Sequence, residues 1–131
     1  MTIVVGWTPS PQGEAALTFA LDEADRRGEE LYVLNTSKGD RISDPRYADD
    51  DQLAEARRRL EESGIGFEIV QEIDPRGGAE HVLDAAERVS ASAIVIGLRR
   101  RSPTGKLLFG SEAQTILLEA DCPVLAVKAP R

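Results

Sequence analysis

Cys122 and His81 each occur once in a chain of 131 residues. A single cysteine excludes an intrachain disulfide and cannot build a metal centre from several thiolates. Cys122 precedes a proline and an apolar run, and no histidine or basic pair lies near it in sequence, so it reads as a buried structural thiol. Aromatic residues are 5% of the chain, so the core must be aliphatic. No apolar stretch approaches the roughly 20 residues that span a bilayer. Met1 leads into a strand pattern without a preceding basic region, which predicts a cytoplasmic protein with no membrane partner. The formal charge is −7, and the basic field that nucleic-acid binding needs is lacking.

Catalytic clusters are equally scarce. His81 falls with Glu80, Asp84 and Arg88 rather than on an apolar stripe, and is expected to be solvated. Asp49, Asp50 and Asp51 open a helical pattern, where consecutive acids cap the helix and oppose its dipole more readily than they hold a metal. No Ser/His/Asp or Cys/His set can be assembled, so neither a catalytic residue nor a protein-built metal site is assigned. The expectation is a binding module, not an enzyme, with any hydrolysis slow and incidental.

What the chain does have is a globular composition, with 41% hydrophobic and 30% charged residues, at the length of one domain over 1–131. Five short apolar runs lie at Thr2 to Gly6, Leu31 to Asn35, Gly66 to Glu72, Ser92 to Gly97 and Pro123 to Lys128. Several are continuous rather than alternating, as in parallel strands covered on both faces. Helical patterns separate them. Ala16, Leu17, Ala20, Leu21 and Ala24 form a stripe from about Pro11 to Arg27, with Ser10 as cap and Pro11 in the first turn. A second helix runs from about Asp49 to Ser63 and stops at Gly64. A third carries Ala79, Val82, Leu83, Ala86 and Val89, and a fourth Ala113, Ile116, Leu117 and Ala120. The alternation predicts an α/β, doubly wound, five-stranded parallel sheet with helices on both faces. A longer irregular stretch, Thr36 to Ala48, is expected to hold a mobile loop.

In such sheets ligands bind outside the carboxyl ends of the strands, which points to the loops after the first and fourth strands. The second of these, GLRRRSPTGKLLFGS from Gly97 to Ser111, carries Arg99, Arg100, Arg101 and Lys106 and no acid. It is not a Walker A loop, because Arg100 and Leu107 stand where Gly and Ser or Thr are needed, and no dinucleotide GxGxxG follows a strand. Two readings remain open. Gly110 and Ser111 at a helix start suit a phosphate; Ser111 with Gln114 equally fits an S-x-x-Q capping box, and Glu112 in the same turn opposes an anion. The last strand raises a further pair of alternatives. Val124, Leu125, Ala126 and Val127 form a dimer seam if they lie at a free sheet edge, unless Lys128, Pro130 and the chain end block that pairing.

The element order, the loop after the fourth strand and the closing GSEAQTILLEADCPVLAVK resemble the universal stress protein family over essentially the whole chain. The resemblance implies a strand order 3-2-1-4-5, a homodimer through the last strand, and a stress-response or regulatory role. Nucleotide-binding members carry G-x2-G-x9-G-[ST], which Gly97, Gly110 and Ser111 match, with Arg100 in place of the second glycine. Where those members end the first strand with an Asp, this chain has Trp7, whose indole would either stack on adenine or fill the pocket. The resemblance thus implies binding of ATP or a related adenine nucleotide, with Mg accompanying it. Gly97, Gly110 and Ser111 would hold ribose and phosphate. Arg99 and Arg100, with Arg101 and Lys106, would supply charge; Trp7, Thr8 and Thr36 would line the base side, and Gly6 and Glu112 would border the same site. The alternative is a nucleotide-free member with an occluded pocket that acts through protein contacts.

Overall fold

The computed structural model describes residues 1–39, 44–101, 106–108 and 110–130. In chain order the elements are β1 (Thr2–Gly6), α1 (Pro11–Arg27), β2 (Glu30–Ser37), α2 (Asp50–Ser63), β3 (Phe67–Ile73), α3 (Gly78–Arg88), β4 (Ala93–Arg101), β5 (Lys106–Leu108), α4 (Ser111–Glu119) and β6 (Val124–Lys128). Five strands pair in parallel in the order β3-β2-β1-β4-β6, which is the expected 3-2-1-4-5 sheet.

Strand periodicity divides the core into two layers. Ile3, Val5, Val33 and Val95 pack against Ala16, Leu17 and Ala20 of α1 and Ala56 and Leu60 of α2. Val4, Leu34, Ile94 and Ile96 face the other way, against Ala79, Val82, Ala85 and Ala86 of α3 and Ile116 of α4. Ile3, Val4 and Val5 on the central strand are completely buried, which explains why that run does not alternate. Each such side chain contributes about 1.5–3 kcal/mol by leaving water.

The helix boundaries follow local chemistry. Ser10 Oγ accepts a 3.1 Å hydrogen bond from the Gly13 amide, and Pro11 takes the first turn of α1. Asp49 and Gln52 make a reciprocal capping box on α2, so the acidic triplet is used as a cap, as expected. α2 ends at Gly64, whose φ of 74° is a left-handed conformation that a side chain would strain.

Three expectations change. β4 does not stop at Gly97 but continues to Arg101, where Arg99, Arg100 and Arg101 pair antiparallel with Leu108, Leu107 and Lys106 of β5. The apolar run ends at Leu98, but backbone pairing needs only a partner strand, and β5 supplies it. The stretch after β2 is also less loose than expected in its described part. Thr36 and Ser37 belong to β2, and Asp44 and Ala48 are buried; residues 40–43 lie outside the described residues. Finally, His81 is not solvated. It is 7% exposed, because α3 buries a second row, His81 and Ala85 at i and i+4, beside its apolar stripe.

Candidate functional site

β1 lies between β2, which is next in the chain, and β4, which leads to the opposite half of the sheet. The connections after β1 and β4 therefore part at this point, and a cleft of about 530 Å3 opens beyond the strand ends. Gly6, Thr8, Thr36, Gly97, Arg99, Gly110, Ser111 and Glu112 all border it, as does Trp7. Residues predicted from four separate stretches of chain are thus brought together. Arg100 is extended and paired with Leu107, so no left-handed backbone is required where the family motif has its second glycine. The side chains of Arg100, Arg101 and Lys106 lie outside the described residues.

The floor of the cleft depends on a close approach of backbone. A Cβ at Gly97 would collide with the carbonyl oxygen of Gln12, so β4 can run under the start of α1 only without a side chain there. Gly110 is different. Its φ of −72° suits any residue, and a Cβ built there meets nothing within 4 Å. It leaves open space at the mouth of α4.

Gly110, not Ser111, occupies the cap position of α4, and among the described residues no side chain caps that end. Ser111 becomes the first helical residue, one position too late for its hydroxyl to serve in the expected S-x-x-Q box. The first amides of α4 and the positive end of its dipole therefore face the cleft without a side-chain partner among the described residues, the donor set that holds an anion. Arg99 borders the same space. Glu112 opposes an anion, but Arg46 from the loop after β2 lies 3.3 Å from its carboxylate.

Arg46 also pairs with Asp44 at 3.2 Å. The guanidinium, aided by the Arg46 amide and by Ser37 Oγ donating at 3.0 Å, holds the Asp44 carboxyl down at about 2 against the opposing effect of burial. Asn35 anchors this loop from beneath. Its Nδ2 donates to the carbonyls of Trp7 at 2.9 Å and Arg46 at 2.7 Å, while Oδ1 accepts from the Ala48 amide and Gln71 Nε2.

Trp7 borders the cleft, yet its side chain belongs to the α1 layer. It is 2% exposed, packs with Ile3, Val5 and Leu17, and donates through Nε1 to Glu14 at 3.1 Å. Trp7 follows the end of β1, and its indole lies in the α1 layer while the residue borders the cleft. Beyond the expected residues, the structure adds Asn35, Asp44, Arg46 and the pair Thr36–His81, with Thr36 Oγ1 and His81 Nδ1 2.5 Å apart. The one sequence signal for Asn35 was a polar residue closing an apolar strand at the sheet's ligand-binding end.

At the far side of the sheet, Val124, Leu125, Ala126 and Val127 of β6 pair with β4 alone among the described residues. No described helix is long and apolar enough to cross a membrane.

A doubly wound α/β domain with an anion-directed helix start at its switch point is the class that fold and cleft define. The model of the universal stress protein family matches residues 1–128. A universal stress protein of Mycolicibacterium smegmatis is 43% identical over 126 residues, covering 96% of each chain. The solved structure of a universal stress protein from Archaeoglobus fulgidus is similar with a TM-score of 0.81 at 37% identity, over 98% of both chains. A further structure from that organism, a universal stress protein in complex with dAMP, gives a TM-score of 0.72 at 30% identity, again over 98% of both. The chain belongs to the universal stress protein family.

Proposed function

We infer that the cleft binds an adenine nucleotide, ATP or a close relative, and that the protein uses this binding in a stress-response or regulatory role rather than in catalysis. The observation that carries the reading is the uncapped start of α4, whose amides open into the cleft beside Arg99 at the switch point of the sheet. Phosphates would lie against Gly110 and Ser111, with Ser111 Oγ as an additional donor and Gly97 and Gly6 keeping the floor low. Arg100, Arg101 and Lys106 on the β4–β5 arm would add charge. The base would extend toward Thr8 and Thr36. The dAMP complex of the similar A. fulgidus protein supports adenine as the base.

Mg would enter with the phosphates. A homodimer through β6 and a cytoplasmic location belong to the same reading. Its rival is a nucleotide-free member acting through protein contacts, and one observation favours it: the Arg46–Glu112 pair joins the two sides of the cleft. Isothermal titration with ATP separates the two. Saturable heat at one site per chain is expected, whereas no heat up to about 1 mM, an affinity weaker than roughly 4 kcal/mol, would favour the nucleotide-free form.

A further inference from the structure

On the β2 side of the cleft, three side chains from three elements form a chain of polar contacts. Thr36 of β2 and Glu72 of β3 are partners in the parallel register, and His81 of α3 lies against both. Thr36 Oγ1 is 2.5 Å from His81 Nδ1, and His81 Nε2 is 3.2 Å from Glu72 Oε2. Thr36 borders the cleft, His81 is buried behind it, and the Glu72 side chain is 60% exposed at the outer end.

The protons in this chain have one consistent arrangement when the imidazole is neutral. The Glu72 carboxylate offers only lone pairs and negative charge 3.2 Å from Nε2, so a neutral His81 keeps its hydrogen on that nitrogen rather than set lone pair against lone pair. Nδ1 is then bare and accepts, so the Thr36 hydroxyl donates its single hydrogen to it. Thr36 Oγ1 is left with lone pairs alone to present to the cleft. A free threonine hydroxyl rotates and serves either as donor or as acceptor; this one is held as an acceptor.

We propose that Thr36, oriented by His81 and Glu72, is a fixed hydrogen-bond acceptor that selects the exocyclic amino group of adenine over a 6-oxo purine. The inference rests on the nucleotide reading of the cleft and narrows it to the base. Position supports the base rather than the phosphates as the group recognised. β2 is two strand spacings from β4, roughly 10 Å from the strand that leads to the anion end. An acceptor-only oxygen would also repel a phosphate. The same distance argues against Thr36 as a nucleophile toward a phosphoryl group, although a base-like imidazole stands beside it.

AMP and IMP share ribose and phosphate and differ at position 6 and in the hydrogen that IMP carries on N1, so their ratio of affinities reads how that edge of the base is recognised, and the Thr36 and His81 variants isolate the Thr36 contact. The wild-type protein is expected to prefer AMP on the order of tenfold, since IMP would set a carbonyl oxygen against the lone pairs of Thr36. Thr36→Val should bring the ratio close to one by weakening AMP, while Thr36→Ser should preserve it. His81→Leu, which frees the hydroxyl to rotate, should bring the ratio close to one by admitting IMP with AMP affinity retained. A general loss of structure would instead weaken both ligands alike. Equal binding of AMP and IMP by the wild type, or an unchanged ratio in Thr36→Val or His81→Leu, overturns the proposal and leaves the nucleotide reading standing. Binding of neither nucleotide overturns both.

Discussion

Asp44 and Arg46 show how a single ion pair can couple acid stability to the shape of the cleft. Asp44 is buried and titrates near 2 in the folded chain, below its usual 3.8, chiefly because Arg46 bonds its ionised form. A depressed native pKa means that the stabilisation is complete above about pH 4 and is lost as the pH falls through 4 toward 2. Replacement of Arg46 by Met is therefore expected to move the acid-unfolding midpoint to higher pH, measured by circular dichroism across that window. An unchanged midpoint would mean that the pair contributes nothing to folding. Little of this was legible in the sequence. Asn35, Asp44 and Arg46 meet only because the chain folds back over the end of β2, and His81 was misread because burial of a second row on α3 depends on what packs against it. A periodicity rule sees the apolar stripe and not its polar neighbours.

Elements were legible in proportion to how local their causes are. The caps Ser10 and Asp49 and the stop at Gly64 depend on residues within one turn and appeared as expected. The β4–β5 arm did not, because its pairing brings Arg99 to Leu108, and no apolar pattern marks such a partner. The start of α4 fell between two readings. The segment supplied both a capping box and a phosphate site, and a shift of one residue in where the helix begins, with Gly110 as the cap, separates them. This element offers a substitution that leaves folding intact. Asp at position 110 can adopt the observed φ and ψ, its Cβ meets nothing within 4 Å, and its carboxylate would cap α4. Gly110→Asp is expected to leave thermal stability unchanged or raise it by a few tenths of a kcal/mol. A clear fall in the melting temperature would show that the cap position is more constrained than its geometry implies.

On the scale of the whole molecule, the order β3-β2-β1-β4-β6 does two things at once. It opens a cleft where β1 and β4 diverge, and it leaves β6 at an edge with Ala126 exposed and Val124, Leu125 and Val127 half-buried. Unpaired backbone along an apolar edge favours a matching strand from a second copy. Sedimentation equilibrium is expected to give about twice the 14.2 kDa mass of one chain; a monomer at high protein concentration would refute the β6 seam. The global fold was the most legible feature, because five apolar runs separated by four amphipathic helices leave few arrangements. The cleft was legible as a place, from topology, before its chemistry was. Its central claim, a nucleotide held by the amides of α4, is tested most directly by titrating ATP into the wild-type protein and Gly110→Asp side by side. The account predicts saturable binding by the wild type and at least a tenfold loss in the equally stable variant, whose carboxylate occupies the phosphate position. Equal affinity of the two proteins for ATP would contradict it.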